Sequence, residues 1–119
     1  MAQPFAPGDD LVFQLESGYG LLRVLAVNGQ GPGSIWHLLA YEDFYPSVEA
    51  AERALAEPDL LTVRREHLAL TDRAFERTPA AWLGNRQVTQ QELLPYQQWL
   101  NSEERGVSDR SALLMLGIR

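Results

Sequence analysis

At 119 residues, 45% of them apolar, the chain has the size of one domain able to bury a core without disulfide or metal staples. The lack of cysteine excludes disulfides, thiolate zinc sites and thiol nucleophiles, and fits a reducing compartment. Every basic residue is an arginine. Residues 1–60 hold nine acids against two arginines (net −7) and residues 61–119 seven against eight (net +1), so the first half suits a basic partner and repels phosphate.

The start, Met1-Ala2-Gln3-Pro4-Phe5, carries neither the basic nor the apolar region of an export signal, and no apolar run reaches membrane-spanning length. The expectation is a cytoplasmic chain with no membrane contact. Residues 11–16 alternate Leu11, Phe13 and Leu15 against Val12, Gln14 and Glu16, the period of a half-buried strand. Ser17-Gly18-Tyr19-Gly20 reads as a turn, and Leu21–Val27 as a more fully buried strand completing a hairpin. Three glycines and a proline make 28–33 a loop, after which Ile35–Tyr41 resumes as a third strand.

Ser47 caps a short helix over 48–56, with Glu49 in its first turn and Arg53 four residues on, and Pro58 ends it. Two short strands are expected at Leu61–Arg65 and His67–Thr71, and Trp82-Leu83 with Gln87-Val88 forms a further hairpin about Gly84-Asn85. Thr89 and Glu92 have the spacing of a capping box, with Val88 placed to staple onto Leu93. In the helix they open, Leu93, Tyr96 and Leu100 share a face and Pro95 introduces a bend. Ser108 is expected to cap a last short helix ending at Gly117.

Neither glycine cluster precedes a helix and the chain has no lysine, so no phosphate-binding loop is present. His37 and His67, thirty residues apart and without cysteine, lack metal-ligand spacing, and no cofactor or metal is expected. A small hydrolase or metal-dependent enzyme using His37 with Glu42 and Asp43 is one alternative, although no nucleophile motif marks it. A nucleic-acid accessory domain using the strip Arg64–Arg77 (Arg64, Arg65, Arg73, Arg77) is another. It is disfavoured because the aromatics sit among acids instead of arginines. The most informative stretch is Trp36–Pro46: Trp36, Tyr41, Glu42, Asp43, Phe44 and Tyr45 bring rings and carboxylates together where a strand leaves for a helix, the composition of a partner-binding face.

Phe5-Ala6-Pro7-Gly8-Asp9-Asp10-Leu11-Val12-Phe13-Gln14-Leu15, followed by Gly18-Tyr19-Gly20-Leu21-Leu22-Arg23-Val24-Leu25, resembles the opening of small bacterial immunity proteins of polymorphic toxin systems. The resemblance covers residues 5–41 and implies an SH3-like sheet and an acidic inhibitor that occludes a cognate toxin. The expected fold is α+β in a single domain over 1–119. It comprises a bent antiparallel sheet or SH3-like half-barrel across 9–88, a helical part across 89–117, and three short helices packed on one side. The expected function is a non-enzymatic interaction module with a basic protein partner.

Overall fold

The computed structural model describes residues 4–118. Three strands, β1 (Asp9–Leu15), β2 (Gly18–Asn28) and β3 (Ile35–Tyr41), form the anticipated meander, and β4 (Val63–Thr71) and β5 (Ala80–Asn85) extend it at opposite edges. The open five-stranded sheet has the order β4-β3-β2-β1-β5 with every neighbouring pair antiparallel. Among the described residues four α-helices accompany it: α1 (Val48–Leu55), α2 (Asp72–Glu76), α3 (Gln90–Leu100) and α4 (Ala112–Leu116). The fold class is α+β, and no helix among the described residues is long and apolar enough to cross a membrane.

The helices do not all lie on one side. Leu11, Phe13, Leu22, Val24, Leu38 and Leu70 point to one face of the sheet, where they pack with Ala74 and Phe75 of α2 and Ala112 and Leu116 of α4. Val12, Leu21, Leu25, Leu39 and Tyr41 point to the other, against Ala51 of α1 and Leu93 of α3. Both faces are therefore covered, which is why β1 is buried almost throughout and shows no polar face except at Gln14. In place of three short helices on one side there are four, divided between the two faces by a second core layer.

Several local expectations are revised. The β1–β2 turn is only Glu16-Ser17, and Gly18-Tyr19-Gly20 already belongs to β2. A glycine is required at 18 because φ is +150° there and a Cβ would lie 2.5 Å from the Tyr45 carbonyl oxygen. The two strands drawn at 61–65 and 67–71 are one. Between Ala40 and Leu38 of β3 the paired residues of β4 run from Arg65 to Leu68, so β4 carries an extra residue there, and a second irregularity lies between Tyr41 and Ala40. The break suspected at Glu66 is thus a bulge within a continuous strand.

Gln87-Val88 forms no hairpin with Trp82-Leu83. β5 pairs with β1, and the Arg86 and Gln87 carbonyls accept hydrogen bonds from the Arg23 guanidinium instead of a strand. The short helix α2 was not foreseen; the Thr71 hydroxyl caps it by accepting from the Ala74 amide. At the C-terminal end, Ser111 and not Ser108 is the cap of α4. Ser108 instead lies along the free edge of β4, its amide bonded to the Ala69 carbonyl and its carbonyl to the Thr71 amide. Gly117 closes α4 in the left-handed conformation at φ 69°, as its position implied.

Candidate partner-binding face

Arg23 organises one side of the molecule. Its side chain is fully buried, and burying a guanidinium is tolerable only where its donors are met. Nε donates to Glu92 at 2.7 Å, and the terminal nitrogens reach Asp10, Glu92 and the carbonyls of Gly8, Arg86 and Gln87. Asp10, 2% exposed, also accepts two hydrogen bonds from Arg86, which in turn donates to the Tyr41 hydroxyl at 3.2 Å. Two arginines and two carboxylates thus tie β1, β2, β3 and the start of α3 together with no formal charge left over. Burial opposes ionisation of Glu92, yet hydrogen bonds from Arg23 and the Thr89 amide hold its carboxyl below the usual range. Burial pushes the Tyr41 hydroxyl up, so it is a neutral phenol at physiological pH.

This network supports a groove of about 620 Å³ between the start of α3, the ends of β3 and β4, and the turn at 58–60. Its apolar lining includes Leu39, Tyr41, Leu61, Val63 and Leu94, with Val63 and Leu94 40% and 52% exposed. Asp59 and Glu66 rim it, and neither carboxylate has a hydrogen-bond or ion-pair partner among the described residues. Pro95 has no amide to give the Gln91 carbonyl, so the regular i, i+4 ladder of α3 is interrupted at this groove-lining turn.

The six residues singled out by composition separate into two groups. Trp36 is 3% exposed and donates through Nε1 to the buried Asp72 at 2.9 Å, so it belongs to the core. Tyr41 is buried too, its hydroxyl held by Arg86. Glu42, Asp43 and Phe44 are exposed, Phe44 at 39%, and Tyr45 is half-buried. The Tyr45 backbone bonds reciprocally to that of Tyr19 at 2.8 Å, fixing the exposed turn against β2. Glu42 sits 3.7 Å from Arg64, a surface pair of little energetic weight. All six acids of residues 42–59 are exposed, against the single Arg53, and this acidic run leads from Phe44 along α1 to the groove rim at Asp59.

His37 does not meet Glu42 or Asp43 in any hydrogen bond. It is fully buried beneath α3, with Nδ1 2.9 Å from His67 Nε2 and Nε2 against the Asn28 side-chain oxygen. Asn28 donates onward to the Tyr96 hydroxyl at 2.8 Å, and Tyr96 and Trp99 pack on the His37 ring at 4.4 and 4.6 Å between centroids. These bonds fix the tautomers: His37 Nε2–H donates to Asn28, so its Nδ1 accepts from His67 Nε2–H. Burial lowers both imidazole pKa values, that of His37 to about 4, so the pair is neutral at physiological pH. Sequence reasoning missed this pair because the residues are thirty apart and adjoin only through β3–β4 register. No group of three or more potential metal ligands occurs among the described residues.

The arginine strip is dispersed. Arg64 donates to the Leu116 carbonyl, Arg73 pairs with Asp109, and Arg77 donates to the Asp109 carbonyl. No protein family matches the chain, nor does any curated protein or solved structure.

Proposed function

We propose that the protein is a non-enzymatic interaction module that receives a basic, amphipathic segment of a protein partner, with an immunity-type inhibitor of a toxin as the sharpest form of that role. The observation that carries it is the groove beneath the start of α3, which presents Leu61, Val63 and Leu94 among polar side chains, is bordered by the unpaired Asp59 and Glu66, and adjoins the exposed Glu42-Asp43-Phe44 turn that follows Tyr41. Apolar side chains of the partner would fill the groove while its cations meet the acids, the division of labour in which buried anchors set residence and charges set encounter. In this reading the sheet is an SH3-like half-barrel platform, and the resemblance of residues 5–41 to the opening of immunity proteins has the same meaning.

Kinetics with a purified basic partner test it. Glu42→Gln with Asp43→Asn slows association at low salt and leaves dissociation nearly unchanged, whereas Leu94→Glu or Phe44→Ala speeds dissociation. Association insensitive to both the acids and the salt would remove the basis of the reading.

A further inference from the structure

A second cleft, of about 540 Å³, lies at the outer edge of β4 between the end of α3 and the segment running past Ser108, and its chemistry is the reverse of the groove's. Arg65, His67, Trp99, Ser108 and Arg110 line it and no carboxylate does, in a chain whose net charge is −6. The guanidinium groups of Arg65 and Arg110 make no ion pair or hydrogen bond among the described residues, whereas Arg23, Arg64, Arg73 and Arg86 all have acidic partners. Two unneutralised arginines converging on one cleft are an oxyanion receptor in waiting.

Four further groups belong to the same chemistry. Ser108 bonds outward to the Ala69 carbonyl and the Thr71 amide, so alternation along β4 turns the Ala69 N–H outward as well, and no backbone acceptor meets it. The Ser108 hydroxyl oxygen accepts from the Arg110 amide at 3.0 Å, which leaves its proton free to donate. Trp99 has its indole N–H fixed on the Gly106 carbonyl at 2.9 Å and its ring set near-parallel to Tyr96, a held aromatic wall. His67 completes the lining. Its Nε2–H is committed to His37, and since no buried side-chain nitrogen or oxygen lacks a partner among the described residues, its unpartnered Nδ1 is open as an acceptor.

We propose that this cleft binds a phosphomonoester carried on a flat heterocycle with hydroxyl donors, the chemistry of a mononucleotide. The two guanidinium groups match the two charges of the phosphate, the Ala69 amide and Ser108 hydroxyl add donors, Trp99 stacks on the ring, and His67 Nδ1 accepts from a ribose hydroxyl or ring amine. The cleft volume is that of a small-molecule site. It is independent of the groove proposed for the partner.

Titration of the isotope-labelled full chain, followed by amide and indole resonances, tests it with adenosine 5′-monophosphate, adenosine, inorganic phosphate and 4-hydroxybenzoate as probes. The nucleotide should move the Trp99 indole, Ala69 and Ser108 signals, and Arg65→Gln with Arg110→Gln should weaken it about tenfold or more while the remaining spectrum keeps its dispersion. Adenosine and inorganic phosphate, each carrying half of the ligand, should bind about tenfold more weakly than the nucleotide. The proposal is overturned if the nucleotide leaves these signals unmoved or binds the double variant equally well. It also fails if inorganic phosphate binds as tightly as the nucleotide, an adventitious ion only, or if 4-hydroxybenzoate binds more tightly, a carboxylate site.

Discussion

Arg23 and His37 are the two fully buried polar side chains whose surroundings set the behaviour of the rest. Arg23 is neutralised by Asp10 and Glu92, so removing either acid strands a buried charge, a class of change that costs about 3–5 kcal/mol. His37 is neutralised by having no charge. Its folded pKa is about 4 against 6.5 when exposed, and that of His67 is lowered as well. Between those values the unfolded chain binds more protons than the folded one, so stability is full above pH 6.5 and falls as pH drops toward 4. For His37 alone the loss by pH 5 is about 2 kcal/mol, from 1.36 kcal/mol per unit of pKa difference. Urea melts at pH 7.5 and pH 5 measure it, and His37→Gln should flatten the difference. Equal midpoints in the wild-type protein at the two pH values would show that the pair is not held neutral by burial.

At the scale of elements, α3 links the local and the long-range parts of the fold. Its capping box is complete: the Thr89 hydroxyl accepts from the Glu92 amide at 3.1 Å and the Glu92 carboxylate accepts from the Thr89 amide at 2.9 Å. The same carboxylate holds Arg23, so the helix start and the buried network share one side chain. Thr89→Ala should lower stability by about 0.5–2 kcal/mol in denaturant melts, and a neutral result would mean that Arg23 and not the cap fixes the helix start. The cap was legible because it is written within four residues. So were Ser47 before α1, Gly117 after α4 and the order of the first three strands. What escaped were relations made by distant partners. Thr71-x-x-Ala74 carries a cap signal, but the segment reads as the end of a strand until Asp72 is seen to receive the Trp36 indole. The β1–β5 pairing left no trace in local sequence, and Gln87-Val88 is withdrawn from strand pairing by Arg23. In α3, Trp99 and not Leu100 continues the inward face, because the ring covers His37 while Leu100 remains 39% exposed.

For the whole molecule, the sequence charge balance and the surface charge differ in an instructive way. Asp9 and Asp10 count among the nine acids of the first half, yet both are buried, Asp9 accepting from the Trp82 indole and the Asn85 side chain and Asp10 from two arginines. The exposed acidity therefore gathers in residues 42–59 instead of at the opening strand. Of the candidate face, Glu42, Asp43 and Phe44 were legible as an exposed composition. Trp36 and Tyr41 were not, since a ring beside a carboxylate reads the same whether it faces a partner or, like Trp36, packs on Phe75 at 5.0 Å. The groove itself was invisible, being assembled from the turn at 58–60, bulged β4 and the first half of α3. The most direct measurement of its role is a resonance titration of the labelled chain with a short peptide of alternating arginine and leucine. The account predicts shifts gathered at Asp43, Phe44, Leu61, Val63, Glu66 and Leu94 that weaken as salt shortens the screening length from about 10 Å at 0.1 M to about 3 Å at 1 M. Shifts confined to Arg65, Arg73 and Arg77, or an absence of shifts around the groove at low salt, would contradict it.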